Sequence, residues 1–360
     1  MTDRQQNIIF TNHVGQALDT LIGEKTPKGG LFIISDENTT DNVVAPLLAT
    51  APLLKEHLTS EIVIPPGDTH KDIETLYNVW GSLSDEGATR NALVINIGGG
   101  MVTDLGGFAA ATFKRGVRFI NVPTTLLGAV DAAVGGKTGI NIGNLKNEVG
   151  AFAPAEAVVI STVFFNTLDR RQLLSGFAEM VKHGFISGNE TVNNLLNFDI
   201  DKIASDSFLD ILADNVNVKR DIVLQDPTEK GLRKALNFGH TAGHAFETLS
   251  LERGTPVTHG YAVAWGMLTE LALSHLRHQF PSDIIYRYAS FLKENYGVPD
   301  ISCDDYDRLI SLMGHDKKNP VEGEINFTLL ASPGKPITDC IVSTEEIKGA
   351  LDITRDMLGI

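Results

Sequence analysis

The sequence predicts an α/β chain in two parts: a parallel β-sheet layered with helices over residues 1–165, then a mostly α-helical domain over residues 166–360. Three observations carry this. At 360 residues the chain exceeds the ~100–200 that one core usually organises. In its first half, short β-branched apolar runs alternate with helical or glycine-rich stretches, as strands buried on both sheet faces do. From Thr167 onward the texture changes to amphipathic helices.

Taken in order, the strand runs are residues 30–35, 61–64, 92–97, 117–122 and 157–160. The third, ending Val94-Ile95-Asn96-Ile97, passes into Gly98-Gly99-Gly100, and a helix is expected from Asp104. A strand, a glycine turn and a helix N-terminus offer backbone amides to a pyrophosphate, and the helix dipole favours the anion. The motif is not Gly-x-Gly-x-x-Gly, so by itself it signals dinucleotide binding only weakly. Gly135-Gly136-Lys137-Thr138 is not a Walker loop, because the upstream glycine would fall at Asp131. In the second half, residues 325–330 and 337–342 are the only expected strands and could pair with each other.

The net charge of −15 argues against a nucleic-acid or anionic-membrane partner. Two cysteines, Cys303 and Cys340, are too few for a disulfide framework and read as free thiols. The first residues lack a signal-peptide pattern, and no apolar run approaches the ~18 residues of a membrane span. The expected location is the cytoplasm.

Residues 233–247 read as one helix with a polar stripe of Arg233, Asn237, His240, His244 and Glu247, spaced four, three, four and three apart. Residues at these spacings share a helix face. The remaining positions are apolar (Leu236, Phe238, Ala242, Ala245, Phe246, Leu249), so the stripe faces inward at something wet and charged. A solvated face is the bland alternative, but His259 opens another apolar helix after the loop at Gly254 to Val257. Three imidazoles on two helices suit a metal, and an acidic ligand would complete it.

Longer motifs run in order through both halves: Arg115-Gly-Val-Arg-Phe, Val122-Pro-Thr-Thr-Leu-Leu, Val130-Asp-Ala-Ala-Val-Gly-Gly-Lys137-Thr-Gly-Ile-Asn, Lys146-Asn147, Phe177-Ala-Glu179-Met-Val-Lys182, Leu232 to His244, His259-Gly260 and Asp316-Lys317-Lys318. In these the chain resembles the 3-dehydroquinate synthase family of sugar-phosphate cyclases. The resemblance implies a Rossmann-like domain that binds NAD, a helical C-terminal domain, a zinc or cobalt ion, and a homodimer. It assigns Glu179, His240 and His259 as metal ligands and leaves His244 facing the substrate. One carboxylate, two imidazoles and an open position suit catalysis.

The implied substrate, 3-deoxy-arabino-heptulosonate 7-phosphate, carries a carboxylate and a phosphate. Arg233 and Asn237 are expected at the carboxylate end, where a guanidinium fork matches. Lys137, Asn147, His244 and Lys317 are expected at the phosphate end, Asp131, Lys182, Lys219 and Glu229 at the hydroxyls, and Arg115 at the partner subunit's phosphate pocket. Lysines gathered at one site repel one another and lose hydration, so a multiply anionic ligand is their natural partner. For NAD the family positions are Asp36, Gly67, Asp68, Lys71, Gly100, Met101, Val102, Thr103, Asp104, Thr124, Thr125, Lys137, Lys146, Phe164, Phe165, Asn166 and Thr167. Four positions depart from the family pattern: Asp68 for Glu, Leu145 for Gly, Tyr261 for Glu and Asp169 for Pro. None removes an implied ligand. The competing readings are a cyclase for a substrate without a carboxylate, a metal-dependent polyol dehydrogenase, and an inactive NAD-binding module.

Overall fold

The apolar runs of the first half form strands because nothing else buries them as completely. Leu31–Asp36 (β2) and Leu93–Gly98 (β4) are buried at every position, as central parallel strands require. With Leu58–Ile64 (β3), Arg118–Pro123 (β5) and Ala157–Ile160 (β8) they make a parallel sheet. A sixth strand, Asn7–Phe10 (β1), was not expected and adds beside β8, giving the order β1-β8-β5-β4-β2-β3. The computed structural model describes residues 6–25, 27–143, 145–314 and 324–360.

Two further findings in this half differ from the sequence expectation. The helix after the glycine turn begins at Gly100 and runs to Thr112, one turn earlier than expected. Lys137–Ile142 (β6) and Leu145–Phe152 (β7) form an antiparallel hairpin. Nearly every β7 residue is exposed, so no alternation of apolar and polar residues announces it.

The chain forms two compact units: residues up to 169 with 201–220, and residues 170–200 with 221–360. The sequence texture grouped 201–220 with the second half, because helical periodicity does not say which core a helix serves. Its hydrogen bonds do: Asn12 Nδ2 donates to Asp206 Oδ1 at 2.6 Å, and Lys219 Nζ to Asp131 Oδ1 at 2.6 Å.

The second unit is built on the helices Arg170–Ser187, His240–Glu252 and His259–His278. The strands Ile325–Ser332 (β9) and Lys335–Val342 (β10) pair antiparallel, as their two runs suggested. The single helix expected over 233–247 is corrected. Leu232–Asn237 is a 3-10 turn, Gly239 turns left-handed at φ 82°, and the α-helix starts at His240. Among the described residues no helix is long and apolar enough to cross a membrane.

Candidate metal and cofactor sites

In the second unit, the Arg170–Ser187 helix is buried continuously from Leu174 to Ile186 and carries Glu179, fully buried, into the core. His240 and His259 each sit at the first position of their own helix. The three are brought together: their ligand atoms all lie within 4.8 Å of one another. Glu179 Oε1 stands 3.6 Å from His240 Nε2 and 3.5 Å from His259 Nε2. These distances sit at the outer edge of hydrogen bonding. Two atoms each about 2.1 Å from one tetrahedral metal are about 3.4 Å apart, so the spacing matches two ligands of a common ion.

The other ring nitrogens support this. His259 Nδ1 faces Glu247 Oε2 at 3.2 Å, and His240 Nδ1 faces the Phe238 carbonyl at 3.2 Å. Each acceptor holds the proton on Nδ1 and leaves the Nε2 lone pair for a metal, the usual outer support of a metal-bound imidazole. Glu179 divides its oxygens: Oε2 pairs with Lys182, and Oε1 faces the imidazoles. Burial lowers the His259 pKa, but the bonds to Glu179 and Glu247 outweigh it and push the value up to about 9. His244 stacks edge-on to His240 at 5.4 Å between ring centroids and lies 5.9 Å from His259, beside the trio.

Close by in sequence, a loop is wound on Asp226, whose carboxylate accepts from the amides of Lys230, Gly231 and Arg233. These bonds hold the Asp226 carboxyl below its usual range. The loop presents Glu229, at φ 60°, to Asn237 Nδ2 at 3.0 Å. Arg233 is buried and gives Nη1 to the Pro227 carbonyl at 2.8 Å. Arg233, Asn237 and Glu229 therefore form one cluster. Lys317 lies outside the described residues.

In the first unit, the helix at Gly100 starts with no side chain over its first amides, since Gly99 is its N-cap. A Cβ on Gly99 would stand 3.1 Å from Thr125, and one on Gly100 would stand 3.0 Å from Ala132. Glycine there keeps the helix end open, with amides of the kind that can receive an anion. Lys71, buried, bonds Asp104 of that helix and Asn147 Oδ1, the latter at 2.5 Å. Thr124 and Thr125 follow β5, with the Thr124 amide bonded to Gly98 O at 2.8 Å. Val102, Thr103 and Phe165 are buried and leave mainly backbone for a ligand, whereas Met101 is half-buried.

Phe164 and Thr167 line a cavity of about 270 Å3 with Asn12, Asn42 and Leu47, and Asn166 binds back to Val163 O. Asp36 uses its Oδ1 as a local helix cap, accepting from Asn38 and Thr39. Asp68 follows Gly67, at φ 97°, and its shorter carboxylate accepts from Asn141 Nδ2 at 3.3 Å and faces Lys146 at 3.4 Å. Lys137 is exposed at the start of β6. Arg115 is exposed on a corner where Lys114 and Arg115 both hold positive φ, at 47° and 68°.

Sequence reasoning missed Asn141, which bonds Asp68 and also accepts from the Asn147 amide at 2.9 Å. It also gave Glu247 no task beyond the polar stripe. The seven-residue step from His240 to Glu247, two helical turns on one face, was the signal available for it.

Residues 61–175 match the family described as 3-dehydroquinate synthase N-terminal, and residues 176–319 the one described as 3-dehydroquinate synthase C-terminal. A 3-dehydroquinate synthase of Parabacteroides distasonis is 48% identical over 330 residues, 92% of this chain and 92% of its own. One from Bacillus mycoides is 40% identical over 361 residues, 96% of each chain. A solved 2-deoxy-scyllo-inosose synthase, complexed with carbaglucose-6-phosphate, NAD+ and Co2+, has a TM-score of 0.81 at 25% identity, covering 97% of each chain.

Proposed function

The chain belongs to the 3-dehydroquinate synthase family, and from that premise we propose that it converts 3-deoxy-arabino-heptulosonate 7-phosphate to 3-dehydroquinate and phosphate, with NAD and a divalent metal, zinc or cobalt. The observation that carries the reading is the trio Glu179, His240 and His259, spaced as ligands of one ion with both Nδ1 atoms already held. Bound to the chain, NAD supplies a reversible hydride acceptor and the metal a Lewis acid. The alcohol is oxidised, the carbon beside the new ketone loses its acidified proton as phosphate leaves from the next carbon along, the ketone is reduced again, and ring opening with aldol closure gives the product. No net redox occurs.

The chain's own groups orient and neutralise. Arg233, held by Pro227 O and by the Asp226 loop, offers its guanidinium to the carboxylate beside Asn237. Lys137, Asn147, His244 and Lys317 are assigned to the phosphate, and Asp131, Lys182, Lys219 and Glu229 to the hydroxyls. The glycine turn with Lys71, Asp104, Thr124, Thr125 and residues 164–167 is assigned to NAD. Tyr261 in place of the family's Glu leaves the three ligands untouched. The chain's identity to 3-dehydroquinate synthases favours this reaction over a carboxylate-free cyclase or a polyol dehydrogenase.

The test is incubation with the heptulosonate phosphate, catalytic NAD and metal, followed by identification of the product. Phosphate release with no accumulation of NADH supports the reading. Conversion of the NAD to NADH without phosphate release points to a dehydrogenase, and no turnover with NAD bound points to an inactive binding module. In the same assay Arg233→Ala should raise KM roughly ten- to hundredfold, the loss of one charge-assisted contact of about 1.5–3 kcal/mol, with NAD affinity nearly intact. Lost NAD binding with unchanged KM would reverse the placement of the two pockets.

The proposed assembly is a homodimer in which Arg115 serves the partner subunit. Its exposed corner, held at two consecutive positive φ values, projects the side chain away from its own core. Mixing inactive Arg115→Ala protein with inactive His259→Ala protein should restore part of the activity, because one site of the mixed dimer regains a full set. Exchange of labelled subunits with no return of activity would confine Arg115 to its own chain.

A further inference from the structure

Glu270 is an acidic residue in the middle of an apolar helix, between Leu268-Thr269 and Leu271-Ala272, and it is fully buried. It belongs to none of the groups assigned above. Its carboxylate reaches across to the N-terminus of the next helix in space, accepting from the amides of Gly239 at 2.6 Å, Thr241 at 3.1 Å and Ala242 at 3.3 Å. Those amides flank His240, the first residue of that helix. Helix N-termini leave amides without intrahelical partners, and an Asp, Ser or Thr at the cap usually takes one. Here the cap is Gly239, which has no side chain to offer, and the acceptor arrives from 31 positions later in the sequence.

Glycine at the cap follows from the packing. Gly239 holds φ 82°, and a Cβ there would stand 2.4 Å from Met267 Cγ. On the other helix, a Cβ on Gly266 would meet Gly239 O at 2.1 Å and Gly243 N at 2.5 Å. At Gly266 the two helices touch backbone to backbone, where close packing leaves no room for an added Cβ. Glu270 is the polar latch of that joint. The helix it belongs to opens with His259, and the helix it caps opens with His240.

We propose that Glu270 is a positioning residue for the metal centre: by capping the helix that His240 opens from the helix that His259 opens, it fixes the two imidazoles relative to each other before metal binds. The inference rests on the metal-site reading above. A carboxylate suits the place, since the positive end of the helix dipole favours an anion. An amide side chain of the same size would turn an NH2 toward the backbone donors and leave at least one of them without an acceptor.

The experiment titrates Co2+ into metal-free wild-type and Glu270→Gln proteins, following the visible cobalt spectrum and the Kd, with NAD affinity measured alongside. Cobalt absorption reports ligand geometry independently of turnover. The expected result is a shifted spectrum and a Kd weakened by about tenfold or more, with NAD affinity unchanged within about twofold. A residue that only stabilised the fold would lower Tm while leaving both the spectrum and the Kd of the folded protein as in wild type, and that outcome overturns the inference while leaving the metal site intact. If the wild type itself binds no cobalt, the metal-site reading fails and the inference with it. Should Glu270→Gln not fold, amide exchange in wild-type protein decides: Thr241 and Ala242 amides protected already in the metal-free state uphold a preset cap, and free exchange there until metal is added refutes it.

Discussion

Glu179→Gln and His240→Ala proteins should each bind Zn2+ or Co2+ more than about 100-fold more weakly than the wild type and lose turnover in proportion, beyond the roughly 10–100-fold that outer-shell changes cost. The geometry explains the size. Glu179 Oε1 faces both imidazoles, so the Gln variant places either an amide oxygen of lower charge or an NH2 there. Metal affinity should also depend on pH in a stated direction. Without metal, His259 titrates at about 9 and carries a proton on the nitrogen that metal must take. Because its folded value lies above the ordinary 6.5, that proton stabilises the metal-free fold fully below about 6.5, and the stabilisation is lost as pH rises through about 9. Metal must displace one proton across this window, so apparent affinity should rise about tenfold per pH unit and level off above about 9. Equilibrium competition against a chelator at several pH values reads this directly. Affinity that stays flat from pH 6.5 to 9, or full activity in a metal-free preparation, would sink the assignment.

What the sequence disclosed followed its periodicities. The central strands were legible because parallel strands buried on both faces read as unbroken apolar runs, as in Leu31–Asp36 and Leu93–Gly98. Asn7–Phe10 is too short for such a run, and β7 is too exposed to alternate. The polar stripe from Arg233 to Glu247 pointed to the site although its helix is interrupted. Gly239 breaks the helix without displacing His240, His244 and Glu247, which share one face of the part that remains. Glu179 lies 61 positions before His240, and no spacing rule spans that distance; the family resemblance supplied it. Glu270 left only a faint trace, one acidic residue among apolar neighbours, because its partners are backbone amides and these have no sequence signature. The allocation of residues 201–220 to the first unit was illegible for a related reason: which core a helix joins is decided by distant partners such as Asn12 and Asp131.

Lys71→Met should destabilise the first unit by about 3–5 kcal/mol and weaken NAD binding at the same time. The lysine ammonium is buried, with 4% of its side chain exposed, and it holds Asp104, the fifth residue of the Gly100–Thr112 helix, and Asn147 on the hairpin. Met fills most of the volume, so the loss is chiefly that of the charge. It leaves the Asp104 carboxylate, 18% exposed, facing no cation at a place where water reaches poorly. For a unit of this size the change corresponds to roughly 6–20 °C in Tm. Burial already pushes the Asp104 carboxyl above its ordinary 3.8, against the pull of Lys71. A raised folded value means that the folded state binds the proton more tightly, so the carboxyl's unfavourable contribution grows as pH rises through that value and is absent below about 3.8. With Lys71 gone the value climbs further. The deficit of Lys71→Met should therefore be greatest near neutral pH and shrink as pH falls toward about 4. Removing the stranded charge should restore part of the stability, so Lys71→Met/Asp104→Asn should melt above Lys71→Met while its NAD affinity stays low, a coupling that a double-mutant cycle measures. If the double variant instead melts at or below the single one, the pair is not the element that ties the Gly67 loop to the helix, and the weakened NAD binding must be traced to Lys71 alone.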